Sequence, residues 1–588
     1  MILNLFKLLP KNLKARTYLI ILLAIVSTLV DLLGVASIMP LVELVQKEDI
    51  PDSSINRVIY LIFGELSSIE FKTIFAILSL IFIVSGVSLK ATLVHFQYKV
   101  SHTIEAYFSS LLFKKYLKFD FSWFKNNHTS SLSKNILTEV SFVIAEAILP
   151  LIKLITDFIF IICLTAFLLV VNLKATITIF FIFLLAYLLI YGISKERISK
   201  YGKLRLKLNE LRFRTLEEYI SLIRDIKIFH KEDYFVKSFK QTAFKYSTAH
   251  AISKTLTFLP KFFIEGLVFI SVVVFLLIVV IFNINILDYI PIITLYLMAM
   301  YKFLPSVQQI IISSGKLKNS VPSVKELYGV LQTPTQERLK DKTNIEKSNI
   351  QSLKFKDINF SFDEETPLFS HLNLELQSHG FIALVGPSGS GKSTLLDIIS
   401  GITIQNSGSV YSDDVELNRL YNETSLAYVS QDVFMLDASF YENIAFGLPL
   451  EEIDKKRVKE ICKKVQLDSW ILESFNDGYE TKIGQNGSRI SGGQKQRIGI
   501  ARAFYTDPKV LVLDESTSAL NITLELDILS LIKEFSIKNL VLFSSHSLDV
   551  LNYADKIIYV KEGAVKEFES LDMFKQSENY KDYVSKNS

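Results

Sequence analysis

Nine consecutive residues in the second half of the chain have the types and spacing needed to bind phosphate groups. They follow the pattern GxxxxGK(S/T) between an apolar strand-like segment and an apolar helix-like segment, so they form a complete P-loop. The glycines let backbone N–H groups face phosphate oxygens, and the helix start adds a favourable dipole. We expect Lys392 to contact the β- and γ-phosphates of ATP and the Ser393 hydroxyl to ligate Mg²⁺. The loop consists of Gly386, Pro387, Ser388, Gly389, Ser390, Gly391, Lys392, Ser393 and Thr394.

An acidic pair follows a second apolar segment further along the chain. Residues 510–513 are typical of a buried strand, and Asp514 and Glu515 come directly after them. A carboxylate at a strand end beside a P-loop is the expected partner of Mg²⁺, so we predict that Asp514 ligates the metal. Glu515 is placed to polarise an attacking water, which predicts that it is the general base.

The first half of the chain has the apolar content of a membrane domain. Half of the 588 residues are hydrophobic, and the mean hydropathy is +0.33. A helix needs roughly 20 mostly apolar residues to cross the hydrocarbon core of a bilayer. Backbone polar groups there must satisfy one another, which favours helices. Six stretches are long and apolar enough, namely 17–45, 73–96, 143–171, 176–193, 263–283 and 286–307.

The loops between these stretches alternate in charge. The N-terminus and the long segments 97–138 and 194–262 are rich in Lys and Arg, whereas the short loop 46–72 is acidic. Basic loops lie on the cytoplasmic side of membranes. The sequence therefore predicts a cytoplasmic N-terminus and, after six spans, a cytoplasmic ATPase domain.

The overall charge and the cysteines exclude other classes of function. We predict no nucleic-acid partner, although the net charge of only +4 by itself says nothing about nucleic acid. The chain has two cysteines, Cys163 and Cys462, which fall in different predicted compartments. They predict neither a disulfide framework nor a zinc site.

One further motif lies between the P-loop and the acidic pair. Its residues are Ile490, Ser491, Gly492, Gly493 and Gln494. This segment resembles the LSGGQ signature of ATP-binding cassette (ABC) ATPases, with Ile in place of the usual Leu.

The resemblance extends to three single residues that occur in the family's order. Gln431 matches the Q-loop glutamine, which implies a catalytic role and contact with Mg²⁺. His546 matches the switch histidine, which implies a second catalytic role beside Glu515. Phe362 matches the aromatic residue that stacks on adenine, where Tyr is more common.

The resemblance also implies a dimer. In this family each ATP lies between the P-loop of one subunit and the signature of the other, where Ser491, Gly492, Gly493 and Gln494 complete the cradle. One chain has one P-loop and one signature, so a homodimer would complete two sites. Two positions depart from the family pattern. Asn521 stands where Asp is usual and Gln485 where Glu is usual, which puts the rate and coupling of hydrolysis in doubt.

The membrane half resembles one subgroup of exporters. Residues 259–265 and 301–306, with a predicted amphipathic helix at 54–63, look like the flippases for lipid-linked oligosaccharides of bacterial protein N-glycosylation and their polysaccharide-export relatives. This implies an ATP-driven exporter or flippase for an amphiphilic, anionic lipid-linked substrate in the bacterial inner membrane. A multidrug exporter with an apolar cavity and a non-transporting membrane ATPase that regulates a partner are the alternatives.

Ionisable residues in the spans are candidates for substrate contact, because burying charge in a membrane is costly. Lys153 and Asp157 are four residues apart and could simply pair. Lys90, Lys261 and Lys302 are candidate substrate residues, and Lys261 and Lys302 have no obvious local partner. Snorkelling of these lysines to the interface is the alternative.

The predicted fold class is a polytopic, all-α membrane domain with six transmembrane helices (the type IV, formerly type I, exporter fold) followed by an α/β P-loop ATPase domain. We expect the membrane domain at residues 1–320, a linker at 321–349 and the nucleotide-binding domain at 350–588.

Overall fold

The computed structural model describes residues 6–46, 67–119, 121–126, 129–281, 290–333, 352–361, 367–412, 415–417 and 426–587. The chain divides into two compact units. The first comprises Met1–Phe119 and Asn126–Gln336, and the second comprises Asp120–Lys125 and Glu337–Ser588. The predicted amphipathic helix at 54–63 lies outside the described residues.

The first unit is helical throughout its described residues. Apolar runs with few prolines favour helices, and local capping sets some of their ends. The third helix, for example, begins with a capping box in which Ser67 and Glu70 bond each other's backbone N–H groups. The α-helices from Lys11 to Gln332 are α1 Lys11–Ala36, α2 Ile38–Gln46, α3 Ser68–Tyr116, α4 Phe121–Asn126, α5 Thr129–Ser133, α6 Val140–Val143, α7 Leu149–Val171, α8 Leu173–Ser221, α9 Ile223–Ile228, α10 Glu232–Ile281 and α11 Ile290–Gln332.

Four helical stretches of the described residues are long and apolar enough to span a membrane. They are Lys11–Glu43, Ile69–Tyr116, Thr129–Val171 and Ile293–Gln332. Four of the six predicted spans overlap them, the predicted span 176–193 falls inside the long helix α8, and residues 263–281 of the predicted span 263–283 belong to the long helix α10. The number six remains a prediction. Helix α11 continues through Pro305 and Pro322 to Gln332, beyond residue 320, where we expected the membrane domain to end.

A buried polar cluster connects three helical segments of this unit. Two π-helical stretches, Lys134–Glu139 and Ile144–Ile148, interrupt the helix that precedes α7. Glu139 ends the first of them, and its carboxylate accepts hydrogen bonds from Arg205 and Asn209, each at 3.0 Å. Arg205 also donates to the Ser323 hydroxyl of α11 at 2.8 Å. Both charges are fully buried, so the pairing offsets a desolvation cost that either would otherwise carry alone.

The second unit contains two sheets. The first has four antiparallel strands in the order β2-β1-β4-β5, and the second has six strands in the order β10-β9-β3-β8-β7-β6. The strands are β1 Ser352–Ser361, β2 Pro367–Gln377, β3 Gly380–Val385, β4 Ser407–Ser412, β5 Val415–Leu417, β6 Leu426–Val429, β7 Val510–Asp514, β8 Leu540–Ser544, β9 Lys556–Lys561 and β10 Ala564–Phe568. The predicted strands at 353–355, 381–385, 510–513 and 540–543 all lie within these elements.

Helices cover the larger sheet, and their apolar faces join its strands in one core. The α-helices of this unit are α12 Lys392–Ile399, α13 Phe440–Ile444, α14 Lys455–Lys464, α15 Asp468–Ser474, α16 Gly492–Tyr505, α17 Ile522–Ser536, α18 Leu571–Gln576 and α19 Glu578–Asn587.

Parallel register positions the functional loops. Strand β8 lies between β3 and β7, with Leu384 and Asp514 both opposite Ser544. Because the strands run in the same direction, the loops that follow β3, β7 and β8 meet at one edge of the sheet.

Candidate functional site

The P-loop is a tight turn that only glycine can make at its first position. Gly386 follows β3 with a φ of 155°, and a Cβ atom there would lie 2.1 Å from the carbonyl oxygen of Val560. Gly391 has a φ of 100° and is the N-cap of α12. These conformations, which glycine adopts without strain, aim successive N–H groups into one concave loop.

Polar groups inside this loop are positioned to bind an anion. The ammonium of Lys392 donates to the carbonyl oxygens of Gly386 and Pro387, each at 3.0 Å. Burial lowers the pKa of Lys392, and the charges of Glu515 and Asp514 oppose that shift. The Ser390 hydroxyl is buried and makes no hydrogen bond to the described residues. An ammonium and a buried hydroxyl in a loop of N–H groups fit the phosphates of ATP.

A carboxylate and a hydroxyl lie together beside the loop. The Oδ1 atom of Asp514 accepts hydrogen bonds from Ser393 at 3.1 Å and from Ser544 at 2.5 Å. The Tyr428 hydroxyl donates to Oδ2 at 3.3 Å, and burial is the main cause of the raised pKa of Tyr428. Carboxylate and hydroxyl oxygens are the ligands that Mg²⁺ prefers, so Ser393 and Asp514 fit that ion. Sequence reasoning assigned no role to Tyr428, which begins the Q-loop segment 428–432, or to Ser544, which belongs to none of the motifs that it used.

The side chain of Glu515 contacts two of the candidate catalytic residues that the sequence predicted. One oxygen of its carboxylate accepts a hydrogen bond from Gln431 Nε2 at 2.8 Å, and the other lies 3.0 Å from His546 Nε2. The backbone of Glu515 adopts a φ of 47°, which is unusual for a residue with a side chain. Such strain often marks a functional position. The structure thus brings Gln431, Glu515 and His546 together although they are distant in sequence.

The signature segment forms a helix start. Ser491 is the N-cap of α16, and in a capping box its backbone N–H donates to Gln494 Oε1 at 2.6 Å while its hydroxyl accepts from the N–H of Gln494. A Cβ atom at Gly493 would lie 2.7 Å from the carbonyl oxygen of Ala519, which explains glycine there. A cavity of about 460 Å³ opens beside this helix start, lined by Gln431, Asp432, Val433, Phe434, Asn486, Gly492, Lys495, Gln496, Ser518 and Ala519.

Comparison with known protein families identifies both halves of the chain. A family model described as ABC transporter matches residues 369–518, and a model described as ABC transporter transmembrane region matches residues 17–307. The chain belongs to the ABC transporter family. Its predicted fold class, a helical membrane domain followed by a P-loop ATPase domain, is confirmed, apart from the number of spans.

Individual relatives match only part of this ABC transporter. The heterocyst differentiation ATP-binding protein HepA of Nostoc sp. is 30% identical over 357 residues, covering 60% of this chain and 57% of that protein. An ATP-dependent lipid A-core flippase of Francisella tularensis is 33% identical over 254 residues, 43% of this chain and 41% of that protein. The chain therefore matches about half the length of these curated relatives.

A solved structure matches the transporter along almost its whole length. A bacterial Atm1-family ABC exporter with ATP bound superposes with a TM-score of 0.81 and covers 98% of both chains at 17% sequence identity. The transporter thus has the fold of an ABC exporter.

The candidate substrate lysines have different surroundings in the transporter. Among the described residues Lys302 has no local partner, but it lies 2.9 Å from Asp31 on α1. This partner lies on another helix, where no local pattern reveals it. The Lys90 ammonium lies 5.5 Å from the centre of the Phe160 ring. The Lys153 ammonium donates a hydrogen bond to the Tyr98 hydroxyl at 3.4 Å, and its pairing with Asp157 stays a prediction.

Two predicted residues cannot be placed in the site. Phe362 lies outside the described residues. Lys261 belongs to α10, but the structure describes only its backbone.

The two departures from the family pattern lie near the site. Asn521 is the N-cap of α17, and its side chain accepts a hydrogen bond from the N–H of Leu524 at 2.9 Å. Either Asn or Asp can make this bond. Gln485 begins a short 3₁₀ turn, Gln485–Gly487.

Proposed function

We propose that this ABC transporter hydrolyses ATP and uses the energy to export or flip an amphiphilic, anionic lipid across the bacterial inner membrane. The observation that carries the proposal is the carboxylate of Glu515, held by Gln431 at 2.8 Å and by His546 at 3.0 Å at the edge of the P-loop sheet. This arrangement is chemically suited to hydrolysis, because a fixed carboxylate can accept a proton from water.

The residues around the P-loop have separate tasks in this proposal. Lys392, Ser390 and the loop N–H groups bind the phosphates of ATP. Ser393, Asp514 and Gln431 hold Mg²⁺, which when bound neutralises charge on the phosphate oxygens. Phe362 stacks on the adenine.

Glu515 acts on water in the same site. Its carboxylate accepts the proton, and Gln431 and His546 keep the carboxylate oriented. A preorganised base avoids the free energy of reorienting groups during the reaction.

Two copies of the chain are needed for a complete ATP site. Each copy contributes a P-loop to one site and the signature residues Ser491, Gly492, Gly493 and Gln494 to the other. We therefore propose that the transporter is a homodimer with its ATPase domains in the cytoplasm. It rests on the single P-loop and single signature of the sequence.

The substrate class is supported by the relatives and by the charges of the membrane unit. One relative is named an ATP-dependent lipid A-core flippase, which supports a lipid as the substrate. We propose a lipid-linked oligosaccharide or a related anionic lipid as the substrate. Since Asp31 already neutralises Lys302, the contact with the headgroup in the spans is assigned to Lys90 and Lys261.

The experiment uses the purified transporter in proteoliposomes and a strain that lacks its gene. We expect Mg²⁺-dependent phosphate release in the vesicles, and mass spectrometry of the deletion strain should detect an accumulated anionic glycolipid. Phosphate release that is stimulated by apolar drugs, without an accumulated lipid, would favour the multidrug alternative. The absence of phosphate release would contradict the proposal itself.

A further inference from the structure

A groove on the membrane unit is lined by lysines that no function has been assigned to. It lies between α8 and α11 and has a volume of about 610 Å³. We call it the lysine groove. Its lining residues are Glu196, Ser199, Lys200, Lys203, Leu204, Lys207 and Lys318.

The lysine groove carries an uncompensated positive charge. Lys200, Lys203 and Lys207 are three and four residues apart, so they lie on one face of α8, and Lys318 faces them from α11. Among the described lining residues, Glu196 is the only acidic one. Four ammonium groups and one carboxylate repel any further cation and attract an anion.

Two neighbouring basic residues on the same helices are paired, in contrast to those of the groove. Arg205 of α8 pairs with Glu139 at 3.0 Å, and Lys316 of α11 lies 3.5 Å from Glu146. Among the described residues, no ion pair within 4.0 Å involves a groove lysine. The groove lysines are therefore available to a ligand, whereas Arg205 and Lys316 are neutralised.

We propose that the lysine groove binds a phosphate group with two or more negative charges. Several ammonium groups around one space favour such a ligand over a singly charged one, because each added charge interacts with all of them. Building on the proposed function, we assign this phosphate to the headgroup of the transported lipid, which the groove receives on the cytoplasmic side.

The distance from the membrane favours a long headgroup. At a rise of 1.5 Å per residue, Lys200 and Lys207 lie about 10 Å and about 20 Å beyond residue 193, where the predicted fourth span ends. The headgroup layer of one leaflet is only about 5–7 Å thick. The phosphate that is attached directly to a lipid thus lies outside most of the groove, whereas phosphate groups carried on a long saccharide headgroup can extend into it.

The rate at which each lysine is acetylated, measured by mass spectrometry, tests the site directly. The full-length transporter is placed in nanodiscs of phosphatidylcholine and labelled with and without inorganic pyrophosphate. We expect the labelling rates of the four groove lysines to fall at least threefold, while those of the exposed Lys237 and Lys240 on α10 stay constant. No protection of the groove, or equal protection at all six positions, would overturn the proposal.

The source of the phosphate is tested by changing the nanodisc lipid. With phosphatidylglycerol in place of a third of the phosphatidylcholine, the groove lysines should remain as reactive as before. Equal protection by phosphatidylglycerol alone would show that a bulk membrane lipid occupies the groove and would refute the assignment to the substrate headgroup.

Two variants that each lose four lysine charges, one inside the groove and one outside it, complete the test. Pyrophosphate binding is measured with the P-loop saturated by a non-hydrolysable ATP analogue. Changing all four groove lysines to Gln should weaken this binding at least tenfold. The same four changes at the exposed Lys231, Lys237, Lys240 and Lys245 should alter it less than twofold.

Basal ATPase activity distinguishes this inference from the proposed function. It should be unchanged in both variants, because neither touches the ATP site. An inactive wild-type transporter would refute the proposed function, whereas unaltered pyrophosphate binding in the groove variant would refute only the lysine groove.

Discussion

The ammonium of Lys302 lies 2.9 Å from the carboxylate of Asp31, across two helices that are far apart in sequence. Asp31 is only 4% exposed, and Lys302 is 23% exposed. Helix α3 packs closely against the pair, since a Cβ atom at Gly86 would lie 2.7 Å from Asp31 Oδ1. The pair neutralises two charges that would each be costly inside a membrane.

Breaking this pair should destabilise the membrane unit. Asp31→Asn and Lys302→Gln should each lower the thermal stability of the transporter in detergent, because each leaves one charge without its partner. The double variant should lose less stability than the sum of the losses in the two single variants. The difference should correspond to a coupling free energy of about 1–3 kcal/mol. Strictly additive losses would show that the two side chains do not interact.

Removing the proposed base should abolish hydrolysis but not ATP binding. Glu515→Gln keeps the size of the side chain and its bonding to Gln431, yet it cannot accept a proton. We expect ATPase activity to fall roughly 100- to 10,000-fold, the usual effect of losing a general base. Glu473→Gln, at an exposed position of α15, is the control and should keep full activity. Near-normal turnover in Glu515→Gln would remove the assignment.

Mixed dimers should reveal that the ATP sites are shared. One subunit carries Lys392→Ala, which damages its P-loop, and the other carries Ser491→Arg, which damages its signature. In a heterodimer both lesions fall in the same site, so the second site stays intact. ATPase activity of the mixture should clearly exceed that of either parent. If cross-linking detects heterodimers but activity stays at the parental level, the shared-site arrangement is incorrect.

The N-cap at Asn521 should matter for stability. Asn521→Ala removes the acceptor for the N–H of Leu524 and should destabilise the ATPase unit by about 1 kcal/mol. Asn521→Asp keeps an acceptor at the same position, so it should unfold at or above the wild-type temperature. Thermal unfolding of the full-length variants measures both effects, and an Ala variant as stable as the wild type would argue against a capping role.

Local motifs allowed much of the ATPase unit to be predicted from the sequence. The P-loop lies between β3 and α12, and Asp514 ends β7 with Glu515 directly after it, as the apolar segments indicated. These features can be read because their chemistry depends on neighbours in the chain. Glycine is required where φ is positive, and an apolar run marks a buried parallel strand.

The contacts within the site were less accessible from the sequence. The resemblance grouped Gln431 and His546 with Glu515, but the parallel register of β6, β7 and β8 brings them within 3.0 Å of its carboxylate. Tyr428 and Ser544 donate hydrogen bonds to Asp514, although the motifs gave neither residue a role. Their roles depend on strand order, which a single motif does not encode.

The sequence by itself determined the class of this protein: apolar stretches that favour membrane helices, a complete phosphate-binding loop, and the acidic pair after a buried strand. Only the tertiary structure decided which charges are neutralised. It paired Lys302 with Asp31 and Arg205 with Glu139, and it left the four lysines of the groove without an acidic partner among the described residues. The physical reason is that a charge inside a helical bundle is stabilised by an oppositely charged side chain a few ångströms away. That side chain lies on another helix, so only the packing of the helices decides which residue it is.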